Sequence, residues 1–434
     1  MLNRRLLLLF VITSLFALGV IVWYFIFSTP KSAPTLGKPN NILNTIPVPR
    51  LSFITNYFSN SSGEDITSGT TTTEVTPITQ EILTKIWGKP ATGQMFITLP
   101  ILREIVSTST LNGTTTKTVR ATSTYFMFVD RTTGYLYRTN TETGETHQIT
   151  NTTLPGIYDA YIFNGGKRIL LRYLDADRST IIGLLATIPS VSDKGSPEAL
   201  IQMTNLPKNI SSVAVSSSGE KLSYLVPNSL GSSIYTITSK GQTLTTTSPF
   251  SEWNLSYGGE QLYGTTKASA YVEGETVMLP SFTRVVGDKT GLTSTALDNG
   301  VLLHSMWSSS GLLTFITSQL GSTKILSEQT LATKCSHLRK SLIVCAVPKI
   351  LPQNIEGLPD DWYQGRFMFD DTLSLVDISS NQISTHHLYQ FSTSLRDMDV
   401  THITPSKEGD MILFTRKQDG SLWLLRVGLI SLVD

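Results

Sequence analysis

Beyond about residue 77 the chain alternates short apolar runs of four to seven residues with clusters of Gly, Asn, Ser and Asp. Runs of that length bounded by turn formers predict strands, because a half-buried strand needs few residues before the chain reverses. After residue 30 no apolar stripe holds a helical period for long. The body of the chain therefore reads as all β.

The runs are also spaced. A tight turn followed by an apolar strand recurs as Asn164-Gly165-Gly166-Lys167 before RILLRYL, Ser216-Ser217-Ser218-Gly219 before EKLSYLV, and Tyr257-Gly258-Gly259-Glu260 before QLYGT. It returns as Asp298-Asn299-Gly300 before VLLHSM, Leu338-Arg339-Lys340-Ser341 before LIVCAV, and Ser406-Lys407-Glu408-Gly409 before DMILFTR. Turn positions 166, 219, 259, 300, 340 and 409 give intervals of 53, 40, 41, 40 and 69. A spacing of about 40 residues is one four-stranded propeller blade. The long last interval carries an insertion at 348–366.

Outer hairpins follow within the units, as in 135–138 with 147–150 and in 232–237 with 244–247. Pro155, Pro207 and Pro249 then lead into the next unit. A first unit at about 91–154, interrupted by a Thr-rich excursion at 107–124, brings the expected count to seven blades, with six and eight as the neighbouring possibilities. The last unit, 400–403, 411–416 and 421–427, stops without an outer strand. Residues 82–86, followed by Pro90, read as an outer strand without inner ones. Pairing the two would close a ring over 80–434 and remove its exposed edges.

The N-terminal residues differ in kind. Arg4 and Arg5 precede an uncharged 22-residue stretch at 6–27. As a helix this spans roughly 33 Å, enough to cross a bilayer. The arginines place the N-terminus in the cytoplasm and the rest outside, with Trp23 and Tyr24 at the outer interface. Small residues at Ala17 and Gly19 allow a cleaved signal peptide instead, but the apolar run continues to Phe27, which favours an uncleaved anchor at 1–29. Residues 30–79, rich in Ser, Thr and Pro, read as a stalk.

Charged residues make up only 15% of the chain, with Ser and Thr filling the gap, which suits strand surfaces. A net charge of +1 argues against nucleic acid, whose binding needs a concentrated basic surface. The segments SSSGEKLSYLV, YGGEQLYGT and SKEGDMILFT resemble repeats of TolB-type and WD-repeat-like propellers, whose turns carry Ser-Pro-Asp-Gly; no turn here holds all four. With the anchor and stalk, the chain also resembles bacterial membrane-anchored propeller proteins. The resemblance covers roughly 80–434 and implies the fold and a tendency to bind proteins or peptidoglycan-associated partners, without a defined activity.

Candidate chemistry is sparse. Cys335 and Cys345 flank a predicted hairpin, which would set them opposite one another for a disulfide, as an extracytoplasmic site allows. The histidines, His147, His304, His337, His386, His387 and His402, have no metal-ligand spacing, and nothing calls for a cofactor. No Gly-x-Ser-x-Gly elbow or phosphate-binding loop is present. The distinctive stretch is Asp360, Asp361, Trp362 and Tyr363 in the insertion: either a cationic or peptidic ligand site, or aromatics folded back over the blades with aspartates capping a turn. The expected function is a non-catalytic module binding a protein or cell-envelope partner. The alternatives are a hydrolase or lyase with a channel-centred site acting on carbohydrate or peptide, and an envelope scaffold; the oligomeric state is not legible.

Overall fold

The computed structural model describes residues 81–430, apart from 110–112, 193–194, 298–299, 319–320, 352–354, 356, 380–382 and 396. The predicted membrane segment and stalk lie outside these residues. Seven four-stranded antiparallel sheets make up the described chain. Six are simple meanders. Their first strands begin at Ala91, Ile157, Ser212, Trp253, Thr293 and Cys335, in blades 1 to 6.

Blade 7 takes Val400–Pro405, Met411–Arg416 and Leu422–Arg426 from the end of the chain, and its outer strand, Leu83–Trp87, from the beginning. Leu83 pairs with Leu425 and Lys85 with Trp423. This strand sits one residue later than the 82–86 read from sequence. First strands of neighbouring blades touch around the ring, with the 3-10 turn Ala332–Lys334 bridging blades 5 and 6. The chain is a closed seven-bladed β-propeller.

Strand alternation explains how the blades stack. In Leu342–Pro348 every residue is buried. Leu342, Val344 and Ala346 pack toward Ile412 and Phe414 of blade 7, whereas Ile343, Cys345 and Val347 pack toward Leu303 and Ile316 of blade 5. A continuous apolar run is what a strand covered on both faces requires. At the ring closure Phe126 and Phe128 of blade 1 meet Leu413 and Leu424 of blade 7.

The turns carry the rest of the pattern. In blade 7 the Ser406 hydroxyl accepts from Met411 N at 3.0 Å, and Gly409 N donates to Ser406 O at 3.0 Å. In blade 3 Ser216 makes the equivalent bonds with Lys221 N and Gly219 N. Gly409 and Gly219 lie at φ +71° and +72°, a region costly for any residue with a Cβ. One expectation changes in blade 1. Instead of an irregular excursion at 107–124, pairing runs unbroken from Met95–Met127 to Ser109–Gly113 as one long hairpin. Threonine-rich strands suit this because branched side chains favour extended backbone.

Each meander fixes two faces. First–second and third–fourth turns lie on one, called here the turn face. Blade-to-blade connections and second–third loops lie on the other, the connection face.

Candidate functional site

The insertion of blade 6 leaves the connection face at Pro348 and returns at Asp371. It lies over the neighbouring blade: Leu358, Trp362 and Phe369 are buried with Leu312 and Leu331 of blade 5 and its exit. The short helix Asp360–Tyr363, α1, reaches further, since Ala270 N of blade 4 donates to Asp360 Oδ2 at 2.5 Å. Asp361 is buried, accepting from Gly357 N at 3.0 Å and from Arg366 Nη1 at 2.8 Å. Trp362 is buried and only Tyr363 is exposed, at 51%. The four residues are thus together, with two of them turned inward and Asp360 occupied by backbone.

What Trp362 covers is a group of charges that the sequence reading did not identify. Lys334, Asp371 and Asp399 are all 0% exposed. Lys334 Nζ lies 2.8 Å from Asp371 Oδ2 and is also hydrogen-bonded to Asp399 Oδ1. Asp399 Oδ2 accepts from Trp362 Nε1 at 2.7 Å and from Phe369 N at 3.1 Å. Asp371 Oδ2 accepts from Val400 N at 2.7 Å, while its Oδ1 is buried with no hydrogen-bond partner among the described residues. The ammonium also faces the rings of Phe369 and Trp362, 4.6 and 5.1 Å from their centroids.

The backbone places these groups by a shared rule. Lys334 and Asp399 each sit directly before a first strand, in blades 6 and 7, and Asp371 opens the third strand of blade 6. All three therefore reach the connection face at one junction. Burial pushes the Asp371 carboxyl up to about 6; the Asp399 charge adds to this and Lys334 opposes it. The faint signal in the sequence was a charged residue at the same place in successive units, just ahead of the unit's first strand.

A second polar cluster belongs to blade 2. Arg172 Nε is 3.0 Å from Asp159 Oδ1, close without being aligned as a hydrogen bond. Tyr161 donates to Asp159 Oδ2 at 3.0 Å, and Arg172 lies over the Tyr158 ring at 5.2 Å. Burial raises the Asp159 carboxyl despite the Arg172 charge. Arg131, from blade 1, donates to Ile157 O at 3.0 Å beside this cluster.

The remaining candidates disperse. His304 is buried against Phe315, and burial pulls its imidazole down to about 4. Among the described residues no cluster of His, Cys, Asp or Glu has a metal-binding arrangement. Cys335 and Cys345 are register partners joined by a disulfide.

Exposed apolar side chains, by contrast, are not evenly spread. Of thirteen large ones among the described residues, four (Ile201, Met203, Leu244 and Ile325) lie on outer strands. The other nine stand on the connection face, including Leu230, Phe250, Tyr271, Val272, Ile350 and Tyr363. The turn face instead shows polar links from blade to blade, such as Lys221 with Glu260 at 2.8 Å. Pocket-like concavity is a poorer guide: a shallow one on the turn face is lined by Thr124, Glu142, Asp410 and Arg426.

No protein-family model matches this chain, and no curated protein does. Solved structures do. An oligogalacturonate lyase in complex with manganese is similar at 10% identity over 77% of this chain and 98% of that one, with a TM-score of 0.45. The β-propeller domain of the trilobed protease from Pyrococcus furiosus is similar at 6% identity, covering 76% and 92%, with a TM-score of 0.41. TolB from Acinetobacter baumannii follows at 9% identity, covering 66% and 81%, with a TM-score of 0.36. The chain is a seven-bladed β-propeller, similar in fold to TolB and to other propellers.

Proposed function

We propose that this propeller is a membrane-anchored, extracytoplasmic binding module that takes a protein partner on its connection face. The observation carrying the reading is the one-sided distribution of exposed aromatic and aliphatic side chains, from Leu230 and Phe250 across Tyr271 to Tyr363. Monomeric proteins rarely leave such groups gathered on one face unless something covers them. Tyrosine in particular offers large contact area with a polar tip and little entropy to lose. The disulfide agrees with residence in an oxidising compartment. The non-catalytic part of the reading is supported by how the buried Asp361 and Asp399 and the partly buried Asp159 are used: each holds neighbouring protein groups.

Of the stretch 360–363, Tyr363 is the contact residue in this reading, and Asp360, Asp361 and Trp362 hold the insertion that presents it. A photo-crosslinking residue is placed in the full chain in intact cells, at Tyr363, at Tyr271, or at Lys407 on the turn face. Crosslinks to one protein from Tyr363 and Tyr271 but not from Lys407 are expected. Equal capture from both faces, or attachment to polysaccharide alone, overturns the reading. Protease added to the same intact cells is expected to cut within 30–79 and release the propeller; protection of the chain would sink the extracytoplasmic placement.

A further inference from the structure

We propose that Lys334 and Asp399 are joined by an amide bond that the folded protein makes itself, with Asp371 carrying the protons. The geometry has every part such a condensation needs. The nucleophile, Lys334 Nζ, already touches the carboxyl it would attack, through Asp399 Oδ1. A proton acceptor, Asp371 Oδ2, stands 2.8 Å from the same nitrogen. The other oxygen of Asp399 is held by two N–H donors, Trp362 Nε1 at 2.7 Å and Phe369 N at 3.1 Å. Donors so placed stabilise the negative charge that builds on an oxygen when its carboxyl carbon is attacked. All three side chains are fully enclosed.

Enclosure supplies the driving force. A cation and an anion kept ionised away from water each carry a desolvation cost that their attraction only partly returns. Condensation removes both charges. The ammonium of Lys334 passes a proton by way of Asp371 to Asp399 Oδ1, and the resulting amine attacks Asp399 Cγ. A second proton follows the same route, the Cγ–Oδ1 bond breaks, and Oδ1 leaves as water. Two ammonium hydrogens depart in that water and one stays on the new amide nitrogen; Asp371 ends as it began. No oxidant or further reactant enters. Burial, which raises the Asp371 carboxyl, suits it to take and return a proton near neutral pH.

The bond would tie blade 6 to blade 7, two positions for which chain separation is 65 residues. Cys335, the next residue, is already tied to Cys345. The first strand of blade 6 would then be covalently fixed both within its own sheet and to its neighbour. This inference does not depend on the binding face proposed above.

Intact-mass spectrometry of the purified, folded full chain, after reduction of the disulfide, tests it. The expected mass is one water below that of the sequence, and digestion should give a branched peptide joining Lys334 to Asp399. The Asp371→Asn variant, which keeps the side-chain shape, is expected to show the unmodified mass. A folded wild-type chain at the full sequence mass overturns the proposal, as does a water loss that maps elsewhere, such as cyclised Asp419 before Gly420. Persistence of the branched peptide in Asp371→Asn would overturn the role given to Asp371.

Discussion

Lys334 at the blade 6–7 junction and Arg172 within blade 2 both bury a cation against aspartate, at 0% and 3% exposure. Their aspartates differ. Asp371 and Asp399 are fully enclosed, whereas the Asp159 side chain keeps 22% of its surface open. The enclosed pair is roofed by Trp362 and Phe369, while Arg172 has the half-exposed Tyr158 at its side. The insertion thus covers the charged junction of blades 6 and 7 and encloses it. The lesson is that the cost of a buried charge depends on its cover, and the cover here came from another part of the chain.

The contrast is most directly broken by removing one aspartate from each site. Asp399→Ala leaves Lys334, Trp362 Nε1 and Phe369 N without their partner, and should lower stability by about 3–5 kcal/mol. Urea unfolding of the variant measures this, and a loss no greater than that for Asp159→Ala would show that enclosure makes no difference.

Next in size is a pH effect at the dry site. The folded carboxyl of Asp371 lies above its ordinary value, at about 6, so the folded chain holds this proton more tightly than the unfolded one. The resulting stability is fully present below about pH 4 and is lost as pH rises through about 6, by at most about 1.4 kcal/mol per pH unit. Urea midpoints across that window should fall with rising pH in the wild type, and Asp371→Asn should flatten this component. An unchanged slope in the variant would assign the proton to another group.

Trp362→Phe keeps a ring over Lys334 but removes the donor to Asp399, so a loss of about 1–3 kcal/mol is expected from thermal or urea unfolding. A near-zero loss would mean that packing alone makes the roof. The smallest effect belongs to the more open site, where Asp159→Ala should cost about 1 kcal/mol, since the Asp159 side chain borders solvent and water can take its place beside the arginine. A larger figure would place Asp159 with the dry group.

Much of the ring was legible because its rules are local. The spacing of turns such as Ser406-Lys407-Glu408-Gly409 marks blades, since a serine that caps its own turn and a glycine at positive φ are needed wherever strands reverse this way. The run LIVCAV announced an apolar strand, and the position of two cysteines about a hairpin announced their pairing. In blade 1 the same local rules leave a weaker mark, because threonine-rich strands carry little apolar contrast.

The charged junction escaped for a different reason. Lys334, Asp371 and Asp399 are separated by 37 and 28 positions, and each alone looks like a solvated residue at a strand boundary. The stretch from Asp360 to Tyr363 drew attention by composition, yet composition does not say which way a loop folds. Its helix lies over blade 5 and meets Ala270 of blade 4, so Trp362 turns inward and Tyr363 outward.

By itself, then, the sequence determined the strands, their turns, the blade repeat and the cysteine pair, because periodicity and turn chemistry act over a few residues. Only the tertiary structure decided the one-residue register of the closing strand, the path of the insertion, and the three charges gathered beneath it. Those depend on closing a ring and excluding water, and both are properties of distant segments brought together rather than of any local stretch.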